Sequence, residues 1–333
     1  MAFRGWEKEK IRLSDGREVE ASAPIIISAS RATDIPAFFA KWFCNRLKAG
    51  YIRWVNPFNA NQTQYVSLAR TRVIVFWSKD PKSLMQHLPE IDKKGINYYF
   101  QFTLNDYDKE GLEPNVPPLA QRIETFKMLS EKLGRKRVIW RFDPLILTDT
   151  LTVERLAERI SAVAARIRQH TERLVLSFAD IKVYKKVQNN LAREHVNYHE
   201  FTPELMAEMA QRLQSLSREW GLKIATCAEG IDLEPYGIEH NRCIDDRLMI
   251  DIFSQDQKLM QFLGYEKDLF SDPSCPYLKD KGQRKECGCI VSKDIGMYDT
   301  CHHLCAYCYA NTSCKAVENN CRKHRDDSDA IVS

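Results

Sequence analysis

The sequence predicts an α/β fold, namely a TIM-like (β/α) barrel, complete or partial, with a cysteine-rich region at its C-terminal end. Short apolar runs, rich in β-branched and aromatic residues, alternate with longer amphipathic segments through most of the 333 residues. Such alternation is typical of parallel strands that are buried on both faces and connected by helices. An open, doubly wound sheet is the alternative, although no Gly-x-Gly-x-x-Gly sequence follows an early strand.

This prediction is based on seven expected strands and five expected helices. The strands are expected at Pro24–Ser28, Tyr51–Val55, Val73–Trp77, Tyr98–Thr103, Val138–Phe142, Leu174–Phe178 and Lys223–Cys227. The helices are expected at 36–49, 81–94, 118–134, 152–169 and 203–220. Gly95, Gly134 and Gly221 follow three of these helices just before the next strand, where a glycine commonly ends a helix. Seven strands with intervening helices favour a barrel.

The chain divides into four regions. Residues 1–22 are expected to form a hairpin extension, because alternating residues flank a Ser-Asp-Gly turn. Residues 23–254 are assigned to the barrel and 255–286, with prolines and many charges, to a linker. Residues 287–333 form the cysteine-rich segment, which is expected to pack at the mouth of the barrel.

The last strand is expected inside this cysteine-rich segment. Cys289–Tyr298 has the composition of a strand that runs directly into a loop, and a helix is expected from Ala306 onward. The barrel would then be circularly permuted. The competing interpretation is a C-terminal appendage that folds over the mouth of the barrel.

Composition limits the classes of function. The balance of 49 basic and 45 acidic residues, a net charge of +4, does not by itself indicate a nucleic-acid partner. No apolar run approaches the length of a membrane span, and the N-terminus lacks the apolar segment of a signal peptide, so a cytoplasmic location is expected. Ten of the eleven cysteines follow position 226, and in a cytoplasmic chain such clustering indicates metal or redox chemistry rather than disulfides.

The most informative motif is Cys-x3-Cys-x2-Cys, formed by Cys301, Cys305 and Cys308. Three thiolates in one short loop can hold three irons of a [4Fe-4S] cube and leave the fourth iron free to bind a small molecule. A structural zinc site is the alternative, but such sites usually combine two Cys-x2-4-Cys pairs, or one such pair with a Cys/His pair. The spacing therefore favours an iron–sulfur cluster. His302 and His303, between the first two cysteines, are expected to be exposed loop residues.

The motif resembles that of the radical S-adenosylmethionine (SAM) superfamily. The longer run Tyr298–Ala310 is especially similar to the subgroup that contains spore photoproduct lyase and other photolyase-like proteins. The resemblance implies that the open iron binds SAM, that a flavodoxin or ferredoxin supplies an electron, and that SAM is cleaved to a 5′-deoxyadenosyl radical. It also implies that Tyr307 lies against the SAM adenine.

The chain departs from that superfamily in one respect, because the superfamily normally places this loop near the start of the chain, after the first strand. Taken as a whole, from Ile27 to the terminal motif, the sequence resembles an uncharacterised bacterial family, domain of unknown function 1848. This second resemblance covers most of the chain and implies no substrate.

Polar residues close several of the predicted strands, at the rim where α/β barrels carry their chemistry. The candidates for binding SAM are Arg31, Lys79, Gln101, Arg141, Asp143 and Glu229. The three basic residues suit the SAM carboxylate, and the other three suit its ribose or amino group. In the alternative interpretation, Arg141 pairs with Asp143 or Asp180 as a salt bridge of the rim.

A second metal site is predicted from the remaining cysteines. Cys287 and Cys289 form a Cys-x-Cys pair, Cys227 ends a predicted strand, and Cys243 follows in the next loop. If the last strand neighbours the seventh, these four thiols would converge on an auxiliary iron–sulfur cluster. A four-cysteine zinc site and four separate thiols are the alternatives.

Taken together, the leading hypothesis is an oxygen-sensitive radical SAM enzyme with an unidentified substrate. The second hypothesis is a zinc or iron–sulfur protein that binds nucleic acid and recognises damage, since Tyr298, Tyr307 and Tyr309 could stack on bases. A third is a metal-dependent hydrolase that uses four strand-end carboxylates. These carboxylates belong to Asp34, Asp143, Asp180 and Glu229.

Overall fold

The computed structural model describes residues 3–56, 59–265 and 278–332. The strands are β1 (Lys8–Arg12), β2 (Glu18–Ser22), β3 (Ile26–Ala29), β4 (Tyr51–Asn56), β5 (Asn59–Ser67), β6 (Val73–Ser78), β7 (Asn97–Thr103), β8 (Val138–Leu145), β9 (Leu147–Thr148), β10 (Arg173–Phe178), β11 (Tyr198–His199), β12 (Lys223–Thr226), β13 (Ile238–His240) and β14 (Lys293–Asp294). The helices are α1 (Ile35–Phe38), α2 (Ala40–Ala49), α3 (Lys82–Met85), α4 (Leu88–Asp92), α5 (Leu119–Leu133), α6 (Val153–Ile167), α7 (Lys185–Arg193), α8 (Pro203–Trp220), α9 (Asp246–Phe253), α10 (Gln257–Leu263) and α11 (Cys314–Lys323).

The main element is an eight-stranded parallel sheet, which confirms the α/β class. Its strand order is β13-β12-β10-β8-β7-β6-β3-β14, so each strand from β3 to β13 lies beside the one that precedes it in this sheet. The last strand, β14, returns to pair with the first, β3, with Asp294 opposite Ser28. Outside the ladder, Ile290 N donates to Ile244 O at 3.1 Å, so the segment before β14 also contacts the segment after β13.

Both faces of this sheet are buried, as the apolar runs predicted. One face packs against the surrounding helices through residues such as Phe76, Phe100 and Trp140. The other face packs against α9, α10 and the segment around Cys287 and Cys289. The cysteine-rich region is therefore part of a hydrophobic core.

Six of the seven predicted strands belong to this sheet, and the assignment of Tyr51–Val55 to it was wrong. That segment forms β4, which pairs antiparallel with β5 in a separate sheet of order β1-β2-β5-β4. From Arg53 onward β4 is only partly buried, as expected for a strand at the edge of a small sheet rather than in the core. The predicted N-terminal hairpin is confirmed as β1 and β2, and it is the outer half of this small sheet.

The helix expected from Ala306 begins later, at Cys314. Ser313 caps this helix by accepting a hydrogen bond from Ala316 N, and turns occupy the preceding residues. The turns are fixed locally, since Thr312 Oγ1 donates to Asp299 Oδ2 at 3.1 Å. Within the predicted linker the structure places α10, and residues 266–277 of that linker lie outside the described residues.

Candidate metal centre

The Cys-x3-Cys-x2-Cys loop starts just beyond β14, and β14 is tied firmly to β3. The Asp294 carboxylate accepts hydrogen bonds from Ser28 Oγ (2.9 Å), Ser30 Oγ (2.6 Å) and Arg31 N (2.9 Å). These bonds join the carboxyl ends of two neighbouring parallel strands. The loop is thereby held at the edge of the sheet where functional residues of such folds gather.

Gly296 makes this close approach possible. A Cβ atom at this position would lie 1.8 Å from Ser30 Oγ and 2.5 Å from Ser30 Cβ. Ser30 cannot simply turn away, because its hydroxyl donates to Asp294 and accepts from Ala32 N.

We therefore expect Gly296→Ala to lower the free energy of unfolding by about 1–3 kcal/mol, the usual cost of overpacking. Urea unfolding at 25 °C measures this difference. Gly230→Ala is the matched control, since a Cβ there meets no atom within 4 Å. Equal stability of the two variants would show that Ser30 does not constrain the loop.

The three thiols of the motif are buried to different degrees and are not paired in disulfides. Cys305 is buried, whereas Cys301 and Cys308 are half-buried. Burial raises the pKa of Cys301 to about 12 and raises the pKa values of Cys305 and Cys308 as well. In the metal-free protein the thiols are therefore protonated at neutral pH, and a metal must displace these protons when it binds.

Hydrogen bonds from the surrounding structure hold the backbone of the loop. Asn311 Nδ2 donates to Cys301 O at 2.8 Å, and Asn190 Nδ2 donates to Cys308 O at 3.0 Å. Leu112 O accepts from Ala306 N at 2.9 Å. The loop is thus fixed from α7, from the β7–α5 connection and from its own end.

Among the described residues, one trio of possible metal-ligand atoms lies within 4.8 Å of one another, namely those of Cys44, His87 and Glu90, which are far along the sequence from the motif. The preference for an iron–sulfur cluster over a zinc ion at the motif therefore rests on the spacing of Cys301, Cys305 and Cys308 in the sequence.

The structure corrects the expectation that His303 is an exposed loop residue. Its side chain is only 2% exposed, and its Nε2 atom lies 2.8 Å from Asp34 Oδ2. Asp34 also caps α1 and accepts hydrogen bonds from Ser78 Oγ and Lys79 N, each at 2.7 Å. His303 thereby anchors the motif loop to the ends of β3 and β6, whereas His302 is half-buried.

Lys79 and Tyr307 meet in a buried polar network that also contains Glu113 and Asn105. Lys79 Nζ donates to Glu113 Oε1 at 2.7 Å and to the Tyr307 hydroxyl at 2.9 Å. The Tyr307 hydroxyl donates to Glu113 Oε1, and Asn105 Nδ2 donates to both groups. Burial alone would raise the pKa of Glu113, but the cations of Lys79 and Arg122 lower it to about 2. Glu113 is therefore ionised and holds both predicted residues in place.

Gln101, Arg141 and Asp143 form a second group. Arg141 Nε donates to Asp143 Oδ2 at 2.9 Å, which is the salt bridge considered as the alternative role of this arginine. Arg141 Nη1 also donates to Gln101 Oε1 at 3.3 Å and to Cys243 Sγ at 2.9 Å. Ser177 Oγ donates to the other oxygen of Asp143. Gln101 and Asp143, which were expected to bind the ribose or amino group of SAM, are thus hydrogen-bonded to Arg141, and Arg141 is also hydrogen-bonded to the thiol of Cys243.

Arg31 lies between these groups. Its guanidinium is 5.2 Å from the ring centroid of Trp77, and the guanidinium of Arg141 is also 5.2 Å from that centroid. Although burial opposes the charge, the nearby Cys289 and Asp294 raise the pKa of Arg31. Within the described parts of the chain, its buried Nη2 atom has no hydrogen-bond partner.

The structure brings together the four remaining predicted ligands, Cys227, Cys243, Cys287 and Cys289. The Sγ atoms of Cys227 and Cys243 are 3.4 Å apart, and the thiols of Cys243, Cys287 and Cys289 lie close enough to shift one another's pKa values. All but the half-buried Cys227 are buried.

This four-thiol group is surrounded by hydrogen-bond donors. Cys243 Sγ accepts from Arg141 and from Asn241 Nδ2 (3.1 Å), and Cys289 Sγ accepts from the backbone N–H groups of Cys243 (3.3 Å) and Ile244 (3.4 Å). The hydrogen bond from Cys243 is the main reason that the pKa of Cys289 is lowered. Donors directed at sulfur stabilise thiolates and tune iron–sulfur clusters.

Glu229 lies near Cys227 and Asp143, which act on it electrostatically. Its Oε1 atom accepts a hydrogen bond from Phe178 N at 2.9 Å, and burial raises its pKa to about 7. It lines a cavity of about 680 Å³. Of the four carboxylates of the hydrolase hypothesis, Asp180 and Glu229 line this cavity, whereas Asp34 pairs with His303 and Asp143 pairs with Arg141.

Sequence reasoning missed Asn105, Glu113 and Asp294, each of which holds a predicted residue in place. Asn105 and Glu113 lie in the connection between β7 and α5, beyond the last polar residue assigned to that strand end. Asp294 lies within β14, where the sequence gives no sign that its carboxylate bonds to β3. The signal that could have found the first two is the run of polar residues immediately after Thr103.

Comparison with known proteins gives a family but no activity. The family model described as domain of unknown function (DUF1848) matches residues 26–310. No curated protein matches the chain. Among four matching solved chains is a "putative alpha-L-fucosidase" from Bacteroides thetaiotaomicron VPI-5482, at 10% identity and a TM-score of 0.26, covering 59% of this chain and 74% of that one. A similarity this low supports no inference. In the described part of the chain, every helix is too short or too polar to cross a membrane.

Proposed function

Because the chain belongs to the DUF1848 family, whose activity is unknown, we propose its function from its own residues: it is a radical SAM enzyme acting on an unidentified substrate. In this proposal Cys301, Cys305 and Cys308 hold a [4Fe-4S] cluster. When bound, the cluster would supply the electron, received from a donor such as flavodoxin or ferredoxin, for reductive cleavage of SAM to methionine and a 5′-deoxyadenosyl radical, which would take a hydrogen atom from the substrate.

The observation that carries the proposal is the placement of the three-thiol loop. It follows the end of a parallel strand and is held there by Asp294 and His303. Three thiols in one fixed loop beside a rim of polar side chains suit a cube with one iron left free. This arrangement favours catalysis over a purely structural metal site.

The chain's own residues would then bind SAM and shield the site. The unpartnered Nη2 of Arg31 would take the SAM carboxylate. The hydroxyl of Tyr307 is fixed by Lys79 and Glu113, so its ring is held for contact with the adenine. Lys79 lies close enough to Cys305 for the two to interact electrostatically, and its positive charge would favour the reduced, more negative cluster.

We also infer that the parallel sheet closes as a circularly permuted (β/α) barrel. The unidirectional strand order and the return of β14 to β3 support this, as does the Ile290–Ile244 hydrogen bond near the two sheet edges. Permutation accounts for a cluster loop at the end of the chain, because the loop still follows a strand that neighbours the first.

A second cluster on Cys227, Cys243, Cys287 and Cys289 is part of the proposal. The four thiols lie together in the fold, and N–H groups donate hydrogen bonds to two of them, Cys243 and Cys289. We expect anaerobically reconstituted protein to hold about eight irons, as two cubes require, and Cys243→Ser to hold about four. Iron and sulfide analysis measures this. Cys314→Ser is the control, since this exposed thiol belongs to neither group. About four irons in the wild-type protein as well as in Cys243→Ser would exclude the second cluster.

The proposed activity is tested by anaerobic reconstitution followed by incubation with SAM and dithionite. The expected product is 5′-deoxyadenosine, measured by liquid chromatography and mass spectrometry. A full complement of iron without 5′-deoxyadenosine would overturn the proposal. A salt-dependent shift of DNA in the same preparation, without cleavage of SAM, would instead support the nucleic-acid-binding alternative.

A further inference from the structure

A large cavity lies beside the four-thiol group. It has a volume of about 680 Å³ and opens where β10 and β12 end. Its apolar side is formed by Phe178, Phe201, Met206 and Ile231, and the rings of Phe178 and Phe201 are packed edge to face at 4.7 Å. A cavity of this size fits a small organic molecule.

The cavity borders the four-thiol group. Cys227 directly precedes two lining residues, Ala228 and Glu229. Ala228 has a φ of 57°, a left-handed conformation that an alanine adopts at a cost, and strain of this kind gathers at functional sites. Another lining residue, Arg284, donates to the hydroxyl of Tyr184, and the ring centroid of Tyr184 lies 6.0 Å from that of Tyr309, next to Cys308.

The polar side of the cavity is predominantly acidic. It contains Asp180, Glu200, Glu229 and Glu286 against a single basic residue, Arg284. Arg284 lies 3.7 Å from Asp180 and also acts electrostatically on Glu229, so one cation faces four acidic side chains. The remaining acidic side chains give the cavity a negative potential that would attract a cation.

Glu229 is the innermost of these carboxylates. It is 8% exposed, and its Oε1 atom accepts a hydrogen bond from Phe178 N. Among the described residues no basic side chain forms a salt bridge with Glu229, which lines the cavity. A largely buried carboxylate without a paired cation is costly, so a cationic ligand is expected.

We propose that this cavity binds the substrate of the enzyme, and that the substrate carries a protonated amine or guanidinium group on an apolar body. Glu229 pairs with the cation, and Phe178, Phe201 and Met206 contact the body. The inference rests on the proposed function only in treating the bound molecule as the substrate, since the charge preference of the cavity follows from its own residues.

The test compares n-pentylguanidine with n-pentylurea, which have nearly the same size and shape but differ in charge. Binding of each to the anaerobically reconstituted protein is measured by calorimetry at pH 8. We expect the guanidine to bind at least about tenfold more tightly, since a buried ion pair gives large discrimination against a neutral isostere.

Glu229→Gln keeps an acceptor for Phe178 N, so the variant is expected to fold, and circular dichroism checks this. It should reduce the preference to about twofold or less, whereas Glu200→Gln at the same cavity should change it less than about threefold. Equal binding of the two probes by the wild-type protein, no binding of the guanidine, or a preference that survives Glu229→Gln would overturn the inference.

The two proposals fail separately. Glu229-dependent binding of the guanidine without formation of 5′-deoxyadenosine contradicts the radical SAM assignment and leaves the ligand class standing. Formation of 5′-deoxyadenosine with no charge preference contradicts the ligand class alone.

Discussion

Cys305→Ser is expected to abolish the formation of 5′-deoxyadenosine, with a loss greater than about 100-fold. Replacing residues that merely support a metal ligand typically costs about 10–100-fold at metal sites, and Cys305 is proposed as a ligand itself. It is also the most buried of the three motif thiols, so no outside ligand can easily take its place. The assay is the anaerobic cleavage of SAM with dithionite.

Two controls accompany this experiment. Cys314→Ser removes an exposed thiol six residues beyond the motif and should retain full activity. Urea unfolding of both variants checks that any loss reflects the cluster rather than the fold. If Cys305→Ser retains more than a tenth of the wild-type activity at equal stability, the three-thiol motif does not hold the catalytic cluster.

Glu113→Gln should lower the free energy of unfolding by about 3–5 kcal/mol, because it leaves the buried ammonium of Lys79 without its counter-charge. The pair is deeply placed, with side-chain exposures of 15% for Lys79 and 1% for Glu113, and their charged atoms are 2.7 Å apart. Urea unfolding at pH 7 measures the change. The double variant Lys79→Met/Glu113→Gln removes the ammonium as well and should recover part of this stability. Additive effects of the two substitutions would show that the pair does not interact.

The same pair has a pH signature. The folded-state pKa of Glu113, about 2, lies below its ordinary value of 4.5, so its contribution to stability is present above pH 4.5 and lost as the pH falls towards 2. The stability difference between wild-type protein and Glu113→Gln should therefore shrink over that range. A difference that stays constant from pH 5 to pH 3 would contradict the assignment of Glu113 as the ionised partner.

The fold could be predicted where burial alone decides the structure. Runs such as Val73–Ser78 are apolar at every position but the last, and only a strand buried on both faces needs such a run. Tyr51–Asn56 begins in the same way, but its partner is the polar segment Asn59–Ser67, far from the pattern expected of a core strand. Which sheet a strand joins depends on contacts distant in sequence, so local composition could not decide it.

The candidate site likewise combines local features, which the sequence displays, with contacts between residues far apart in the sequence, which it does not. The spacing of Cys301, Cys305 and Cys308 is local, and the sequence displays it directly. The convergence of Cys227, Cys243, Cys287 and Cys289 was expected only if the last strand lay beside the seventh. That condition was wrong, because β14 pairs with β3 whereas β12 lies between β10 and β13. The segment before β14 brings Cys287 and Cys289 to the other two thiols, as the Ile290–Ile244 hydrogen bond shows. The tie between His303 and Asp34 joins residues 269 positions apart, and no local pattern indicates it.

Electron paramagnetic resonance of the dithionite-reduced Cys243→Ser protein, recorded with and without SAM, tests the open iron most directly. This variant is expected to retain only the cluster on the terminal motif. The account predicts a [4Fe-4S]⁺ signal whose g-values shift when SAM is added and stay unchanged with methionine alone. A signal that SAM leaves unaltered, or one zinc ion per chain in place of iron, would contradict it.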